Sequence, residues 1–183
     1  MVMDLRGRSI FRVVATALIV ASVILVVLST APIISLSQSA DAPLSDSGNV
    51  IGYKVITDRQ DAQGVHPVLM ENSDARDPTL SQLMAFLSTD DTASNKYSPP
   101  TFTCADFAQM LQNHAEEHGI RGGYTSMRFV GKNEGHAVNI FDTTDMGPVY
   151  VDTTDNKPIL TQGLCPGYSY FNLGTISSLT DYW

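Results

Sequence analysis

Three residues of the types used in thiol-based acyl transfer, Cys104, His136 and Asp152, follow one another along this chain. A cysteine nucleophile needs a neighbouring base that controls its proton and a third group that orients the base. Histidine and aspartate can supply these two roles. The residue types therefore predict a catalytic triad, provided that the fold brings the three side chains together.

Cys104 is predicted to lie in the first turn of a helix. Thr103 can cap this helix, and Asp106 can complete a reciprocal cap three residues later. Gly119 is a typical C-terminal stop. The apolar residues of the helix fall on one face: Phe107, Ala108, Leu111 and Ala115. Unpaired backbone N–H groups and the positive end of the helix dipole both favour a thiolate at such a position.

A β-hairpin is predicted to bring the histidine and the aspartate together. Its strand-like segments are residues 136–141 and 149–152. If Phe141 pairs with Gly147, the histidine lies directly opposite the aspartate, with Cβ atoms about 4.5–5.5 Å apart. A slip of one residue would place the two side chains on opposite faces. The alternation of apolar residues in these segments does not fix the register.

Predicted helices come before most of the predicted strands. The helical segments are a stripe from Leu80 to Leu87 and the cysteine-bearing helix, and the later strand-like segments are 124–130, 136–141 and 149–152. An earlier segment, 50–56, also has strand composition. This order favours an α+β fold with an antiparallel sheet.

Short motifs around these residues match a known pattern: Tyr97, TCADFAQML (103–111), AEEHGIR (115–121), GHAVNIF (135–141) and VYVDTT (149–154). Together they resemble the transglutaminase-like superfamily of papain-like cysteine enzymes. The resemblance implies a papain/transglutaminase-like core in which the cysteine-bearing helix packs on an antiparallel sheet. It implies Cys104 as nucleophile, His136 as base and Asp152 as orienting acid. It also implies a protein or peptide substrate, attacked at a glutamine or peptide carbonyl, with water or an amine as acceptor.

The chain departs from that pattern near the site. Val138 stands where many members have an aromatic residue, and Thr103 stands where Gly or Trp often precedes the cysteine. Tryptophan is absent before Trp183. These departures leave the triad intact and leave the substrate class open.

The N-terminal part is predicted to anchor the chain in a membrane. The predicted organisation is a cytoplasmic tail (1–12), a transmembrane anchor (13–35), a stalk (36–49) and the transglutaminase-like domain (50–183). The apolar segment can cross a hydrocarbon core of about 30 Å. Arg6, Arg8 and Arg12 precede it, so the positive-inside rule places the domain outside the cell membrane. A cleaved signal peptide is the competing interpretation, and it also exports the domain.

Composition and charge exclude several other classes of protein. Hydrophobic content of 43% and charged content of 16% indicate a globular domain plus an apolar segment rather than a disordered chain. Beyond residue 12, 18 acidic residues face 8 basic ones, a net charge of −10. Such a surface repels phosphates, so no nucleic-acid partner is expected.

Two alternative interpretations concern the cysteines and the orienting acid. A Cys104–Cys165 disulfide would close a loop of about 60 residues, nominally worth about 4 kcal/mol, and would disable the nucleophile. The protein would then be an inactive transglutaminase-like binding or structural domain. Asp142 is a second candidate for the orienting acid.

The C-terminal aromatic residues are expected to close the core, with a substrate groove as the alternative: Tyr168, Tyr170, Phe171, Tyr182 and Trp183.

The segment 114–118 fits H-x-x-E-H, an inverted zinc-protease pattern. Its two histidines could share a helix face, but zinc needs a third ligand, and Glu134 is the one glutamate downstream. A helix end that suits histidine is the favoured interpretation. The sequence predicts no cofactor and no metal.

Overall fold

The protein has an α+β fold, in which two strands come first, two α-helices follow, and six further strands complete the chain. The computed structural model describes residues 50–60 and 64–183, which belong to the unit Asp46–Trp183. The α-helices are α1 (Leu80–Leu87) and α2 (Cys104–Glu117), with a 3₁₀ turn at Thr92–Ser94. The strands are β1 (Ile51–Val55), β2 (Val68–Asn72), β3 (Gly123–Phe129), β4 (Gly135–Thr143), β5 (Gly147–Asp152), β6 (Ile159–Thr161), β7 (Ser169–Tyr170) and β8 (Gly174–Tyr182).

Six of these strands form one antiparallel sheet in the order β6-β5-β4-β3-β8-β7. Strands β1 and β2 pair antiparallel in a separate two-stranded sheet. The predicted α+β class with an antiparallel sheet is confirmed. The central position of β4, between β3 and β5, places the strand that carries His136 in the middle of the sheet.

Helix α2 packs on the large sheet through its apolar face. Leu111 and Ala115 are buried with Phe141, Val149 and Val151, which come from β4 and β5. Helix α1 adds its own apolar residues to this cluster. Burying one large aliphatic or aromatic side chain contributes about 1.5–3 kcal/mol. The packing therefore holds the helix, and with it the position of Cys104, against the strands.

Buried polar side chains add specific links between α2 and the strands. The amide of Asn139, on β4, donates to the backbone oxygens of Ala108 (2.7 Å) and Gly123 (3.2 Å). Gln112 donates to the backbone oxygen of Met70 at 2.8 Å. Because a buried polar group is costly without a partner, these bonds favour one alignment of the helix.

The predicted tail, anchor and stalk (1–12, 13–35 and 36–49) lie outside the described residues. Among residues 50–60 and 64–183, no helix is both long enough and apolar enough to cross a membrane.

Candidate active site

Cys104 is the first residue of α2, as the sequence predicts. The Asp106 carboxylate accepts hydrogen bonds from the backbone N–H (2.7 Å) and the hydroxyl (3.0 Å) of Thr103. At the other end, Gly119 has a φ of +71° and follows the last turn. The capping residues therefore start the helix at the cysteine, and the cysteine side chain reaches the surface of a cleft.

His136 and Asp152 form a hydrogen-bonded pair beneath that cleft. His136 Nε2 lies 2.7 Å from Asp152 Oδ2, and each side chain is 9% exposed. Since Nε2 faces the carboxylate, Nδ1 is the ring nitrogen left for Cys104. His136 also forms a hydrogen bond with Cys104, so the three side chains follow one another in the order cysteine, histidine, aspartate.

The register of the β4–β5 hairpin differs by two residues from the one that would place His136 directly opposite Asp152. Val149, rather than Gly147, pairs with Phe141, and Gly147 pairs with Thr143. Asp152 is consequently displaced diagonally from His136 along the neighbouring strand. A shift of two residues keeps both side chains on the same face, and diagonal neighbours remain within reach of long side chains.

The Asp152 carboxylate accepts four hydrogen bonds in all. Oδ2 accepts from His136 and from the Tyr170 hydroxyl (2.8 Å). Oδ1 accepts from the backbone N–H (3.0 Å) and the hydroxyl (2.6 Å) of Thr154. Burial alone would raise the pKa of Asp152, but the bond and charge of His136 and the bonds of Thr154 hold it well below its ordinary range. Asp152 is therefore an ionised, oriented acceptor.

His136 has a pKa of about 9, raised from 6.5. Burial acts to lower this pKa, but the hydrogen bonds that the ring makes to Asp152 and Cys104, together with its electrostatic interactions with these two residues, outweigh it. The imidazole is thus close enough to Cys104 to interact with the thiol. A histidine with this pKa carries a proton at neutral pH.

Tyr97 approaches Cys104 from the loop before α2. Burial raises the pKa of Tyr97, and the charge of Cys104 raises it further, while hydrogen bonds join the phenol to both the backbone N–H and the side chain of Cys104. Its ring stacks on Phe107 with centroids 6.2 Å apart. A neutral phenol donor therefore lies beside the thiol.

A cleft of about 690 Å³ opens over these groups. It is lined by the cysteine and histidine of the site, by Tyr97, and by charged and polar residues of β3 and neighbouring loops, among them Arg59, Ser126 and Arg128. A cavity of this size suits part of an extended chain or a small molecule.

The structure keeps the alternative residues apart from the site. Both cysteines are free, and Cys165 is exposed. Asp142 is exposed on β4, whereas Asp152 occupies the place of the orienting acid. No disulfide joins Cys104 and Cys165 among residues 50–60 and 64–183.

The two histidines of the H-x-x-E-H segment have separate partners. His114 Nδ1 lies 2.6 Å from Asp90 Oδ2. Together with Asp91, these two residues bring three potential metal-ligand atoms within 4.8 Å of one another. His118 Nδ1 lies 2.8 Å from the backbone oxygen of His114. His114, on α2, is therefore paired with Asp90 of the loop that follows α1.

Tyr170 and Thr154 both bind the Asp152 carboxylate, a role that the sequence analysis predicts for neither residue. Tyr170 was expected to close the core, and it is 1% exposed, but its hydroxyl also binds Asp152. Thr154 forms a carboxylate-capped turn with Asp152, a local pattern that a D-x-T sequence can signal. No sequence signal links Tyr170 to a residue 18 positions earlier.

No protein-family model, curated protein or solved structure matches this chain. The function is therefore inferred from the chemistry of the site itself.

Proposed function

We propose that this protein is a membrane-anchored cysteine enzyme with a papain-like, transglutaminase-like core that acts on protein or peptide amides outside the cytoplasm. The observation that carries the proposal is Cys104 at a helix start beside a buried His136–Asp152 pair with Nε2 and Oδ2 2.7 Å apart. The proposed location rests on the apolar segment 13–35 and the arginines that precede it.

In the first half-reaction, the Cys104 thiolate attacks the carbonyl carbon of the amide. A C–S bond forms, and the carbonyl π electrons move onto oxygen. The Tyr97 hydroxyl, whose oxygen accepts from the backbone N–H of Cys104, is the donor that we expect to stabilise this oxyanion. When the carbonyl re-forms, the C–N bond breaks, and the His136 imidazolium protonates the leaving amine. The product is a thioester on Cys104 and a neutral imidazole.

In the second half-reaction, water or a primary amine attacks the thioester. His136 accepts the proton of the nucleophile, and the C–S bond breaks to return the thiolate. Asp152 stays ionised and stabilises the imidazolium whenever it forms. Water yields a carboxylic acid, and an amine yields a new amide, so one site supports hydrolysis and acyl transfer.

The first test of the proposal is site-resolved alkylation of the full chain, purified in detergent. Iodoacetamide modification of each cysteine is followed at neutral pH by peptide mass spectrometry, with exposed Cys165 as an internal reference thiol. We expect Cys104 to react faster than Cys165, although Cys104 is less exposed. His136→Ala should slow the alkylation of Cys104, because it removes the imidazolium that stabilises the thiolate. The alkylation rate of Cys165 should stay the same.

Turnover is tested with a glutamine-containing protein and a fluorescent primary amine. Incorporation of the amine indicates acyl transfer, whereas new peptide termini or released ammonia indicate hydrolysis. Cys104→Ala should abolish either product. Equal reactivity of the two cysteines, or a Cys104–Cys165 linked peptide that persists in the native chain, would instead favour the inactive structural domain.

A further inference from the structure

The cleft beside Cys104 carries two guanidinium groups, those of Arg59 and Arg128. Beyond residue 12 the chain has 8 basic residues against 18 acidic ones. Two of the few cations of an acidic domain therefore line the same cleft as the candidate nucleophile.

Arg59 is held in place rather than free in solvent. Its Nε donates to Ser126 Oγ at 3.0 Å, and its Nη1 donates to the backbone oxygen of Asp58 at 2.7 Å. The backbone oxygen of Arg59 lies 2.6 Å from Nδ1 of His66. The side chain is 23% exposed. A fixed, partly buried guanidinium loses less conformational entropy on binding an anion than a free one.

Arg128 lies next to this group on β3. Side chains two residues apart on a strand share a face, so Arg128 projects on the same side as Ser126, the partner of Arg59. Arg128 is exposed. Within the part of the chain that the structure describes, no carboxylate forms an ion pair with it.

Two acidic residues also line the cleft and oppose these charges. Asp58 accepts a hydrogen bond from the Tyr182 hydroxyl at 2.8 Å and lies 3.4 Å from Arg59 Nη1, so its charge is already partly balanced. Glu134 is exposed in the loop before β4. Arg128 is thus the cation of the cleft best placed to bind an incoming anion.

We propose that the acyl donor of this site is an acidic peptide, whose carboxylate binds Arg128 and Arg59 while its amide carbonyl lies at Cys104. Guanidinium groups suit this role because they can form paired, charge-assisted hydrogen bonds to a carboxylate. This inference rests on the proposed function and names its substrate class.

The test compares two alkylating reagents of similar size, iodoacetate and iodoacetamide, which differ in charge. Rates at Cys104 and Cys165 are measured separately in the full chain in detergent. The iodoacetate-to-iodoacetamide rate ratio should be higher at Cys104 than at Cys165. Arg128→Gln should lower the ratio at Cys104 about three- to tenfold, as expected for the loss of one unit charge from the cleft that both residues line. Combining it with Arg59→Gln should lower the ratio further.

Arg121→Gln is the matched control, because it removes one positive charge from a residue that lies over the Trp183 ring, outside this cleft. Its ratio at Cys104 should equal that of the native chain. Adding about 1 M salt should lower the iodoacetate-to-iodoacetamide rate ratio at Cys104 of the native chain, because salt screens the attraction between the arginines and iodoacetate. A pair of peptide chloromethyl ketones that differ only in glutamate against glutamine extends the comparison to peptides, and the glutamate reagent should react faster.

The outcomes separate the two proposals. Suppose that iodoacetamide modifies Cys104 faster than Cys165, but neither arginine variant changes the iodoacetate-to-iodoacetamide rate ratio at Cys104. The proposed carboxylate subsite is then wrong, whereas the proposed enzyme function still stands. If Cys104 reacts no faster than Cys165 with iodoacetamide, the enzyme proposal fails and the subsite fails with it. Unfolding midpoints equal to that of the native chain show that the arginine variants are folded.

Discussion

The Tyr170 hydroxyl donates a 2.8 Å hydrogen bond to Asp152 Oδ2, the same oxygen that lies 2.7 Å from His136 Nε2. The Tyr170 ring also lies against the imidazole, with centroids 5.7 Å apart. The two donors share the negative charge of one oxygen. Tyr170 therefore both positions the carboxylate and moderates its effect on the histidine.

Tyr170→Phe should raise the pKa of His136 above its native value of about 9. Without the phenol, more of the carboxylate charge is available to the imidazolium. The lost bond to a charged group should also lower the free energy of unfolding by about 1.5–3 kcal/mol. An NMR titration of the histidine ring measures the first effect, and urea unfolding measures the second.

The control for this variant is Tyr168→Phe, which removes a hydroxyl from a partly exposed neighbouring side chain. It should leave the His136 pKa where it is. A His136 pKa that stays the same or falls in Tyr170→Phe would contradict the charge-sharing argument.

The His136–Asp152 pair should make stability depend on pH. The pKa of His136 is raised from 6.5 to about 9 on folding. Its contribution to stability is therefore complete below pH 6.5 and is lost as pH rises through 9. The depressed pKa of Asp152 acts in the other direction, because its contribution is present above its ordinary pKa of 3.8 and is lost as pH falls.

Urea unfolding of the native chain and of His136→Gln measures this dependence. The difference in unfolding free energy should be largest between about pH 4 and 6.5 and should shrink toward pH 9 and above. His118→Gln, at an exposed histidine, serves as the matched control and should differ little from the native chain. A native-minus-variant difference that is constant over this range would refute the ion-pair interpretation.

The local elements of the site could be predicted because their signals are local. Thr103 and Asp106 start a helix at Cys104 through contacts three residues apart. Strand composition likewise placed His136 and Asp152 on neighbouring strands of an antiparallel sheet. Such short-range patterns do not depend on the rest of the fold.

The hairpin register could not be predicted in the same way. The apolar pattern fixes which face a residue occupies, but it is equally satisfied by registers two residues apart. The turn decides between them. Here the Thr143 hydroxyl donates to the backbone oxygen of Gly147 at 2.8 Å and accepts from the Met146 N–H at 3.2 Å. Gly147 has a φ of +72°, which suits glycine. This closes the hairpin with the Thr143–Gly147 pair, nearer its tip than a pairing of Phe141 with Gly147 would.

The partnership of Tyr170 with Asp152 depends on tertiary structure. Tyr170 lies in a two-residue strand at the far edge of the sheet, beyond β8. A strand that short has no periodicity from which a face could be assigned. Three strands, β4, β3 and β8, lie between it and β5, which carries Asp152, so the contact forms only in the folded sheet.

Tyr97→Phe should slow acylation of Cys104 more than alkylation of Cys104. Acylation passes through an oxyanion, which the Tyr97 hydroxyl is placed to stabilise, whereas alkylation by iodoacetamide does not. Loss of one oxyanion donor lowers the catalytic rate about 10²–10³-fold in well-studied enzymes. We expect a smaller loss of the acylation rate here because the phenol is partly exposed.

The measurement is nitrophenol release from p-nitrophenyl acetate, compared with iodoacetamide labelling of Cys104. Tyr53→Phe, at an exposed residue of β1, is the control. Equal losses in both reactions would indicate that Tyr97 only supports the position of Cys104.

Gly135 is the residue at which a single methyl group should disturb the site. A Cβ there would lie 2.6 Å from the backbone oxygen of Met127, on the paired strand β3. Backbone cannot yield as a flexible side chain does, so Gly135→Ala should shift the start of β4 and move His136 away from Cys104. The free energy of unfolding should fall by about 1–3 kcal/mol. The ratio of the alkylation rate of Cys104 to that of Cys165 should fall as well.

Gly52→Ala is the matched strand control, because its Cβ would meet its nearest neighbours at 3.9 Å, an ordinary contact. An alkylation ratio in Gly135→Ala equal to that of Gly52→Ala would show that the placement of His136 tolerates the displacement.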